Sequence, residues 1–309
     1  MHAEAVVLNA PHDLAVTRLA LVEAGPADVV VETRWSGIST GTERLLYTGR
    51  MPSFPGMGYP LVPGYESVGT VVQAGEAAGV AVGQSVFVPG AICFGEIRSL
   101  FGATASRLVV PGSRVVPISD TLGERGVLLA LAATARHALA PPHALPDLIV
   151  GHGVLGRLLA RLTVLMGGSP TVWEQDAGRA LGARGYEVVR PDDDGRRDYR
   201  AIYDASGAGE LLDSLVMRLA PGGEIVLAGF YDRLSFSFPP AFMREARIRV
   251  AAQWARADLE AVTGFASSGA LDLGGLLTHS VPASGAAAGY RAAFEDMSCL
   301  KMTLDWSAT

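Results

Sequence analysis

Three glycines with a fixed spacing lie between a short apolar run and an amphipathic segment. The sequence there reads Gly151-His-Gly-Val-Leu-Gly156, directly after Leu148–Val150. Gly151 allows a tight turn, Gly153 lets the backbone approach a pyrophosphate, and Gly156 lets a helix pack closely on a strand. Backbone N–H groups at the start of the helix then face the phosphates. We therefore predict a dinucleotide-binding turn formed by Gly151, Gly153, Val154, Leu155 and Gly156.

An acidic residue follows this turn at the spacing that a ribose contact requires. Glu174 comes directly after a second apolar run, Thr171–Trp173, and lies eighteen positions beyond Gly156 (174 minus 156). A carboxylate there accepts hydrogen bonds from the adenosine ribose hydroxyls and repels the 2′-phosphate of NADP. The sequence thus predicts NAD as the cofactor, with Glu174 and Gln175 among its contacts. The alternative is that Glu174 caps a strand and Asp176 begins the next helix.

Regular elements must position this turn, and the chain from residue 120 onward has the pattern to form them. The segment after the turn has one apolar helical face, made of Leu155, Leu158, Leu159, Leu162, Leu165 and Met166. Arg157 and Arg161 point away from that face, and Gly167-Gly168 ends the helix. Short apolar runs then alternate with helical segments up to residue 277. This alternation indicates β-α-β crossovers and a doubly wound parallel sheet, and so the α/β class.

The first 119 residues have a different pattern. Alternating or β-branched runs, separated by glycine and proline, occur at residues 5–8, 29–33, 68–72, 85–89 and 107–111. No long helical pattern accompanies them, which is typical of a small β-barrel. A last run at 301–306 is expected to return to this unit. We predict two domains, one formed by residues 1–119 with 278–309 and the other by residues 120–277.

The composition restricts the function classes. The chain has 309 residues, a formal net charge of −6 and no basic run, so neither nucleic acid nor an anionic membrane is expected as a partner. The two cysteines lie far apart, which argues against a disulfide framework and fits a reducing compartment. Because neither an export signal nor a bilayer-spanning apolar run is visible, we expect a cytoplasmic protein. Lys301 is the only lysine, which excludes a Walker loop, a Tyr-x-x-x-Lys pair or a pyridoxal Schiff base at any other position.

Several motifs together resemble the medium-chain dehydrogenase/reductase superfamily. Gly64-Tyr-Glu-Ser-Val-Gly69 is similar to its Gly-His-Glu-x-x-Gly motif, and Gly37-Ile-Ser-Thr-Gly-Thr-Glu43 to its Gly-Ile-Cys-Gly-Thr-Asp motif. Asp204-Ala-Ser-Gly207 and residues 221–229 resemble its later cofactor strands. The resemblance implies a GroES-like β-barrel completed by the C-terminal segment, a Rossmann domain and a nicotinamide cofactor. It adds Thr134, Ser206 and Gly229 to the predicted cofactor contacts.

The sequence departs from this superfamily at the zinc sites. Where zinc-dependent members carry a cysteine and a histidine, this chain has Thr40 and Tyr65, and neither hydroxyl is a competitive zinc ligand. The structural zinc lobe of the superfamily needs four closely spaced cysteines, but residues 90–105 contain only Cys93. We therefore expect no zinc of either kind, and a buried apolar role for Cys93.

A continuous stretch, residues 36–60, resembles one group within the superfamily. Its members oxidise the 1-hydroxyethyl side chain of a bacteriochlorophyllide to acetyl, which implies a tetrapyrrole substrate bound between the two domains. The apolar, proline-rich segment 51–60 suits a flat macrocycle, and an arginine suits its propionate. The substrate contacts predicted on this basis are Arg44, Arg50, Phe54, Met57 and Tyr59. A packed loop and solvated arginines are the structural alternatives.

Other functions stay open on sequence alone. A zinc-lacking sugar, polyol or quinone oxidoreductase would have the same fold and cofactor. A non-catalytic pigment-binding protein would keep the nucleotide site for folding. The sequence also leaves open whether the chain forms a homodimer.

Four residues are candidates for the proton chemistry, namely Thr42, Glu43, Tyr65 and Glu66. The resemblance implies that Thr42 relays the substrate proton toward the nicotinamide ribose, and a hydroxyl suits a relay because it both donates and accepts. A phenol titrates near about 10, so Tyr65 is expected to donate a hydrogen bond rather than act as a base. Glu66 can act as the base if burial raises its pKa. The alternative for both glutamates is a buried ion pair with an arginine.

Overall fold

The computed structural model describes residues 1–53, 55–251 and 253–307. The chain divides into two compact units, of which one contains Met1–Ala130 together with the segment from Leu273 onward, and the other contains Leu131–Asp272. The boundaries predicted from the sequence fall shortly before the first division and shortly after the second. In the part of the chain that the structure describes, no helix has the length and apolar character needed to cross a membrane.

The N-terminal part of the first unit is built of β-strands. They are β1 His2–Ala10, β2 Asp13–Ala20, β3 Asp28–Ile38, β4 Leu61–Pro63, β5 Ser67–Ala74, β6 Ser85–Val88, β7 Arg98–Leu100, β8 Arg107–Pro111 and β9 Val116–Pro117. One short helix, α1 (Thr42–Tyr47), interrupts them. β3 forms because its valines, Val29–Val31, are β-branched and fill the core between paired strands. Strand β2 did not stand out in the sequence because its residues are exposed or only half-buried.

The second unit alternates strands with helices. A 3-10 helix at Asp120–Leu128 belongs to the first unit, and α2 Leu129–Leu139 leads from it into the second. The elements that follow are β10 Leu148–Val150, α3 Val154–Leu165, β11 Thr171–Trp173, α4 Ala177–Ala180, β12 Glu187–Val189, β13 Tyr199–Asp204, α5 Leu212–Val216, β14 Leu219–Leu227, α6 Phe238–Met243, β15 Arg247–Val250 and α7 Arg256–Ser267. The six strands are parallel in the order β12-β11-β10-β13-β14-β15. This is the doubly wound Rossmann order, which confirms the predicted fold class.

The C-terminal segment returns to the first unit. It contains β16 His279–Pro282, α8 Ala286–Glu295 and β17 Met302–Asp305. β17 pairs antiparallel with β3, and β16 pairs parallel with β17, in a sheet of order β16-β17-β3-β5-β6-β9 in which β8 also pairs with β3. A second sheet has the order β2-β1-β4-β7. The closing strand therefore brings residues near position 300 next to the end of β3.

Two helical predictions differ in detail from the structure. The Leu- and Ala-rich run from Glu124 to Leu139 predicts one helix, but it is a 3-10 helix up to Leu128 and becomes α-helical only at Leu129, after a non-helical Gly123 with φ of 50°. Of the predicted apolar face of α3, Leu158, Leu159 and Leu162 are buried, Leu155 is half-buried, and Leu165 and Met166 at its end are exposed. Arg157 and Arg161 on the opposite side are also buried, at 3% and 6% exposure. Other segments of the same unit therefore cover both sides of α3.

Candidate active site and cofactor-binding turn

Three hydroxyl groups converge where β3 ends. Ser39 follows the last residue of β3, Thr42 begins α1, and Tyr65 lies between β4 and β5. The Tyr65 hydroxyl is hydrogen-bonded to the Ser39 hydroxyl at 2.6 Å and to the Thr42 hydroxyl at 3.4 Å. We refer to Ser39, Thr42 and Tyr65 as the hydroxyl set. It contains two of the four predicted catalytic residues and one, Ser39, that the sequence did not single out.

Tyr65 is held as a neutral hydroxyl. Its ring is half-buried and packs edge-on against Phe101, with centroids 5.3 Å apart. Burial, and next the negative charge of Glu66, raise the pKa of Tyr65 above its ordinary value. The phenol therefore keeps its proton at neutral pH, and it can donate one hydrogen bond while it accepts another.

The carboxylate of Glu43 lies beneath the hydroxyl set. Its Oε1 accepts the backbone N–H of Ser39 at 3.1 Å, and its Oε2 accepts the hydroxyl of Tyr290 from α8. The side chain is fully buried, and this burial raises the pKa of Glu43 from 4.5 to about 7, against the opposing effect of these two hydrogen bonds. Glu43 therefore fixes the backbone that carries Ser39, and its partner is a tyrosine rather than an arginine.

Glu66 is paired with the one lysine of the chain. The Lys301 ammonium group contacts Glu66 Oε2, and the two side chains are 1% and 0% exposed. Neither Glu66 oxygen accepts a further hydrogen bond from the described residues. Burial raises the pKa of Glu66, and Lys301 opposes that shift. A Cβ at Gly37 would overlap Glu66 Oε2 and lie 3.0 Å from Lys301 Cε, so a larger residue there would displace the Glu66–Lys301 pair.

Besides Ser39, two residues of this site, Tyr290 and Lys301, were not predicted from the sequence. Both come from the C-terminal segment, more than 200 positions from their partners, and no local motif marks them. Lys301 did carry a signal, since it is the only lysine and precedes the closing apolar run. Tyr290 lies in an alanine-rich helix and carried none.

The donor set at this site does not fit zinc. Thr40 is exposed, and the Tyr65 hydroxyl is engaged by its two hydroxyl neighbours. Across residues 1–53, 55–251 and 253–307, no three histidine, cysteine, aspartate or glutamate side chains come together in a way that could hold a metal ion. Cys93 is buried in the apolar core of the first unit, as predicted.

The predicted substrate residues have contrasting surroundings. Arg44 and Arg50 are exposed. Met57 and Tyr59 are half-buried and pack against a cluster that includes Leu46, and the Tyr59 hydroxyl donates to the Leu46 carbonyl. Phe54 lies outside the described residues. Met57 and Tyr59 therefore pack as the packed-loop alternative predicts. Other residues of the same segment, such as Pro52 and Pro55, are exposed.

The glycine-rich turn has the backbone that its sequence predicts. Gly151 has φ of 95°, a conformation that favours glycine. A Cβ at Gly156 would overlap the Gly151 carbonyl oxygen, so the third glycine is needed for helix α3 to approach the turn. A Cβ at Gly153, by contrast, would meet nothing within 4 Å. The space above Gly153 therefore suits a phosphate group, and the residues of the turn fit an adenine dinucleotide.

Glu174 is bonded to the turn itself. Its Oε2 accepts the backbone N–H of His152 at 3.1 Å, and its Oε1 accepts the N–H groups of Gln175 and Asp176 at 2.8 and 3.0 Å. Asp176 caps α4 by accepting the N–H of Arg179. The carboxylate of Glu174 is thus held at the end of β11 with its orientation fixed.

The remaining predicted cofactor residues follow neighbouring strands. Ser206 comes after β13, and its N–H and hydroxyl donate to Asp204 Oδ1 at 2.8 and 2.6 Å. Ser206 borders Gly151, and Gly229, after β14, borders Gly207. Thr134 lies in the middle of α2 and is half-buried. The turn, Ser206 and Gly229 therefore lie at the carboxyl ends of adjacent parallel strands, where this fold binds dinucleotides.

A Rossmann sheet with this turn, together with a β unit closed by the C-terminal strand, defines a medium-chain dehydrogenase. Residues 25–120 match the family described as the alcohol dehydrogenase GroES-like domain. A 2-desacetyl-2-hydroxyethyl bacteriochlorophyllide A dehydrogenase of Cereibacter sphaeroides is 59% identical to this chain over 317 residues, and the alignment spans 100% of each chain. The chain belongs to the medium-chain dehydrogenase/reductase superfamily and, within it, to the 2-desacetyl-2-hydroxyethyl bacteriochlorophyllide A dehydrogenase family.

Two solved structures share the fold. A dehydrogenase of Sinorhizobium meliloti 1021 bound to NADP superposes with a TM-score of 0.82 at 20% identity, over 99% of each chain. An alcohol dehydrogenase of Escherichia coli CFT073 in complex with NADH superposes with a TM-score of 0.83 at 19% identity, also over 99% of each chain. Both neighbours bind a nicotinamide cofactor, but they differ in which one.

Proposed function

We propose that this chain oxidises the 3-(1-hydroxyethyl) side chain of a bacteriochlorophyllide to the 3-acetyl group, with NAD as the hydride acceptor and without zinc. The observation that carries the substrate assignment is the 59% identity, over the whole length of both chains, to a dehydrogenase named for that substrate. The glycine-rich turn supports a dinucleotide cofactor, and the hydroxyl set supports transfer of a proton from an alcohol.

The reaction removes a hydride and a proton from the carbinol. NAD, which the glycine-rich turn and Glu174 would hold, would supply the hydride acceptor, so that the overall reaction gives a ketone, NADH and one proton. Without a metal to stabilise an alkoxide, the conjugated macrocycle stabilises the positive charge that develops at the carbinol carbon. The task left to the protein is to orient the alcohol and to accept its proton. This division of roles is consistent with a site that has hydroxyl groups where zinc-dependent relatives have zinc ligands.

The hydroxyl set supports the proton transfer. Tyr65 and Thr42 both donate and accept, so one hydroxyl can take the proton of the alcohol while the other gives up its own toward the nicotinamide ribose and water, and the set stays neutral. The Tyr65–Ser39 hydrogen bond of 2.6 Å and the Tyr65–Thr42 distance of 3.4 Å allow such a relay. Glu43, bonded to Tyr290, fixes the backbone of Ser39. Lys301 pairs with the negative charge of Glu66, the residue next to Tyr65.

The cofactor is proposed to be NAD because of Glu174. A carboxylate at the end of β11 accepts hydrogen bonds from the ribose hydroxyls and repels a 2′-phosphate. Replacing Glu174 with Gln removes the charge, so we expect the ratio of kcat/KM for NAD over NADP to fall by about tenfold or more, as the loss of charge-assisted hydrogen bonds implies. Steady-state rates with both cofactors measure this ratio. An unchanged ratio would remove the argument for NAD.

The test of the function uses purified, chelator-treated protein mixed with NAD and 3-(1-hydroxyethyl) bacteriochlorophyllide. We expect NADH and a red-shifted pigment band to appear together, because the acetyl group extends the conjugated system. A stoichiometric zinc requirement would contradict the metal-free mechanism. Turnover of a polyol, sugar or quinone but not of the pigment would contradict the substrate assignment. Pigment binding without NADH formation would indicate a non-catalytic protein.

A further inference from the structure

Arg157 is a buried arginine with no acidic partner. It is 3% exposed and lies on the first turn of α3, directly after the glycine-rich turn. Its Nε donates to the His152 carbonyl at 3.0 Å, and its Nη2 donates to the carbonyls of Arg179 and Leu181 at 2.7 and 2.8 Å. Among the described residues no carboxylate forms a direct ion pair with it, and Glu174 acts on its charge only at longer range. Burying an unpaired charge is costly, so its position calls for a physical reason.

The His152 side chain belongs to the same network. His152 is fully buried, and its Nδ1 donates to the Arg179 carbonyl at 2.6 Å. A carbonyl can only accept, so Nδ1 carries the proton and Nε2 accepts the hydroxyl of Tyr186 at 2.8 Å. Burial, and next the charge of Arg157, lower the pKa of His152 to about 4. The residue between the first two glycines is therefore neutral and is directed into the protein.

These contacts fix one peptide unit. The His152 carbonyl and the Gly153 N–H belong to the same planar trans peptide, so they point in opposite directions. Arg157 holds the carbonyl on the inner side, which directs the Gly153 N–H outward. That N–H donates to no group among the described residues. The His152 N–H is already bonded to Glu174, so the Gly153 N–H, next to those of the first turn of α3, is a donor of this turn that stays available to a ligand.

We propose that Arg157 is a positioning residue for the cofactor: it orients the His152–Gly153 peptide so that the Gly153 N–H faces the pyrophosphate, and its buried charge attracts the same anionic group. This inference rests on the proposed function, because it requires a bound dinucleotide. No described carboxylate pairs directly with Arg157, so a pyrophosphate on the far side of the peptide would add its negative charge to the longer-range effect of Glu174. Three carbonyl contacts at fixed angles require the planar fork of arginine rather than the single ammonium of lysine.

The experiment measures binding of NADH, ADP and adenosine to wild type, Arg157→Met and Arg157→Lys, using NADH fluorescence and competition. For Arg157→Met we expect the Kd for NADH and ADP to rise about tenfold or more, while the Kd for adenosine changes less than about twofold, because adenosine lacks the pyrophosphate. Arg157→Lys keeps the charge but not the fork and should lie between wild type and Arg157→Met. In turnover assays KM for NAD should rise while kcat at saturating NAD stays within about twofold.

Arg244→Met is the matched control. Arg244 is half-buried and donates to the carbonyls of Leu219 and Met217, away from the turn. Its loss should leave all three nucleotide affinities unchanged.

Several results would overturn the inference. Equal losses for adenosine and ADP would mean that Arg157 only maintains the fold, and wild-type ADP affinity in Arg157→Met would mean that it has no role at the pyrophosphate. If Arg157→Met does not fold, Arg157→Lys decides, and wild-type ADP affinity in that variant overturns the positioning role. A wild-type protein that binds no NADH overturns the proposed function instead.

Discussion

Lys301 and Glu66 form an ion pair that is excluded from solvent on both sides, at 1% and 0% exposure. Removing one member leaves the other charge buried without a partner. We expect Lys301→Met to lower the free energy of unfolding by about 3–5 kcal/mol, as is usual when a buried pair is broken. Chemical denaturation at pH 7 measures this change.

The control for that variant is an exposed pair. Arg256 and Glu260 are bonded at 2.8 Å one helical turn apart on α7, and both are largely exposed. Arg256→Ala should cost less than about 1 kcal/mol. The double variant Lys301→Met with Glu66→Gln should recover part of the loss, since the unpaired charge is then gone. Equal costs for Lys301→Met and Arg256→Ala would show that the buried pair adds nothing to stability.

Tyr65→Phe removes the hydroxyl of Tyr65 but keeps its ring, so it tests the role of the hydroxyl alone. The ring contact with Phe101 is kept, while the bonds to Ser39 and Thr42 are lost. We expect kcat for pigment oxidation to fall about 100-fold, the lower end of the range for acid–base catalysis, with little change in KM. Thr42→Val should also lower kcat.

Tyr199→Phe is the matched control for Tyr65→Phe. Its hydroxyl donates to Asp194, outside both the hydroxyl set and the cofactor-binding turn, so turnover should be retained. If Thr42→Val keeps the wild-type rate, Thr42 is not part of the relay. If Tyr65→Phe also keeps it, the proton leaves the substrate by another route.

Glu43 should make stability depend on pH. Its pKa in the folded protein is raised from 4.5 to about 7 by burial, so the folded state holds a proton that the unfolded state has released between those values. Stability therefore falls as pH rises from about 4.5 to about 7, by roughly 3 kcal/mol in total, and this contribution is constant outside that window. Glu43→Gln should remove this part of the slope, because an amide can still accept from Ser39 and donate to Tyr290.

Urea unfolding of wild type and Glu43→Gln at several pH values from 4 to 8 measures the difference. Glu260→Gln, on the exposed side of α7, is the control and should keep the wild-type slope. Parallel pH profiles for wild type and Glu43→Gln would contradict a raised pKa at Glu43.

The parts of the fold that were predictable are those set by local pattern. Glycine spacing and leucine periodicity identified the turn and α3, because a tight turn and an apolar helix face are properties of neighbouring residues. The burial of Arg157 was not predictable, because periodicity shows which face packs on the sheet but not what covers the opposite face. For Glu43 and Glu66 the sequence suggested proton chemistry, with a buried ion pair to an arginine as the alternative, but their buried partners are Tyr290 and Lys301. Those contacts depend on β17 pairing with β3, a long-range event that the local sequence does not encode.

Substitutions at two glycines of the turn can distinguish an effect on stability from an effect on cofactor binding. A Cβ at Gly156 would overlap the Gly151 carbonyl, whereas a Cβ at Gly153 meets no protein atom within 4 Å, and Gly153 has an extended backbone with φ of −72° that any residue can adopt. Gly156→Ala should therefore lower the melting temperature and weaken cofactor binding together. Gly153→Ala should leave the melting temperature within about 2 °C of wild type. Its methyl group would nevertheless occupy the space that a pyrophosphate needs, so the Kd for NADH should rise about tenfold or more. Thermal unfolding and NADH fluorescence on both variants measure the two effects, and a Gly153→Ala protein with wild-type NADH affinity would show that the pyrophosphate does not lie above that residue.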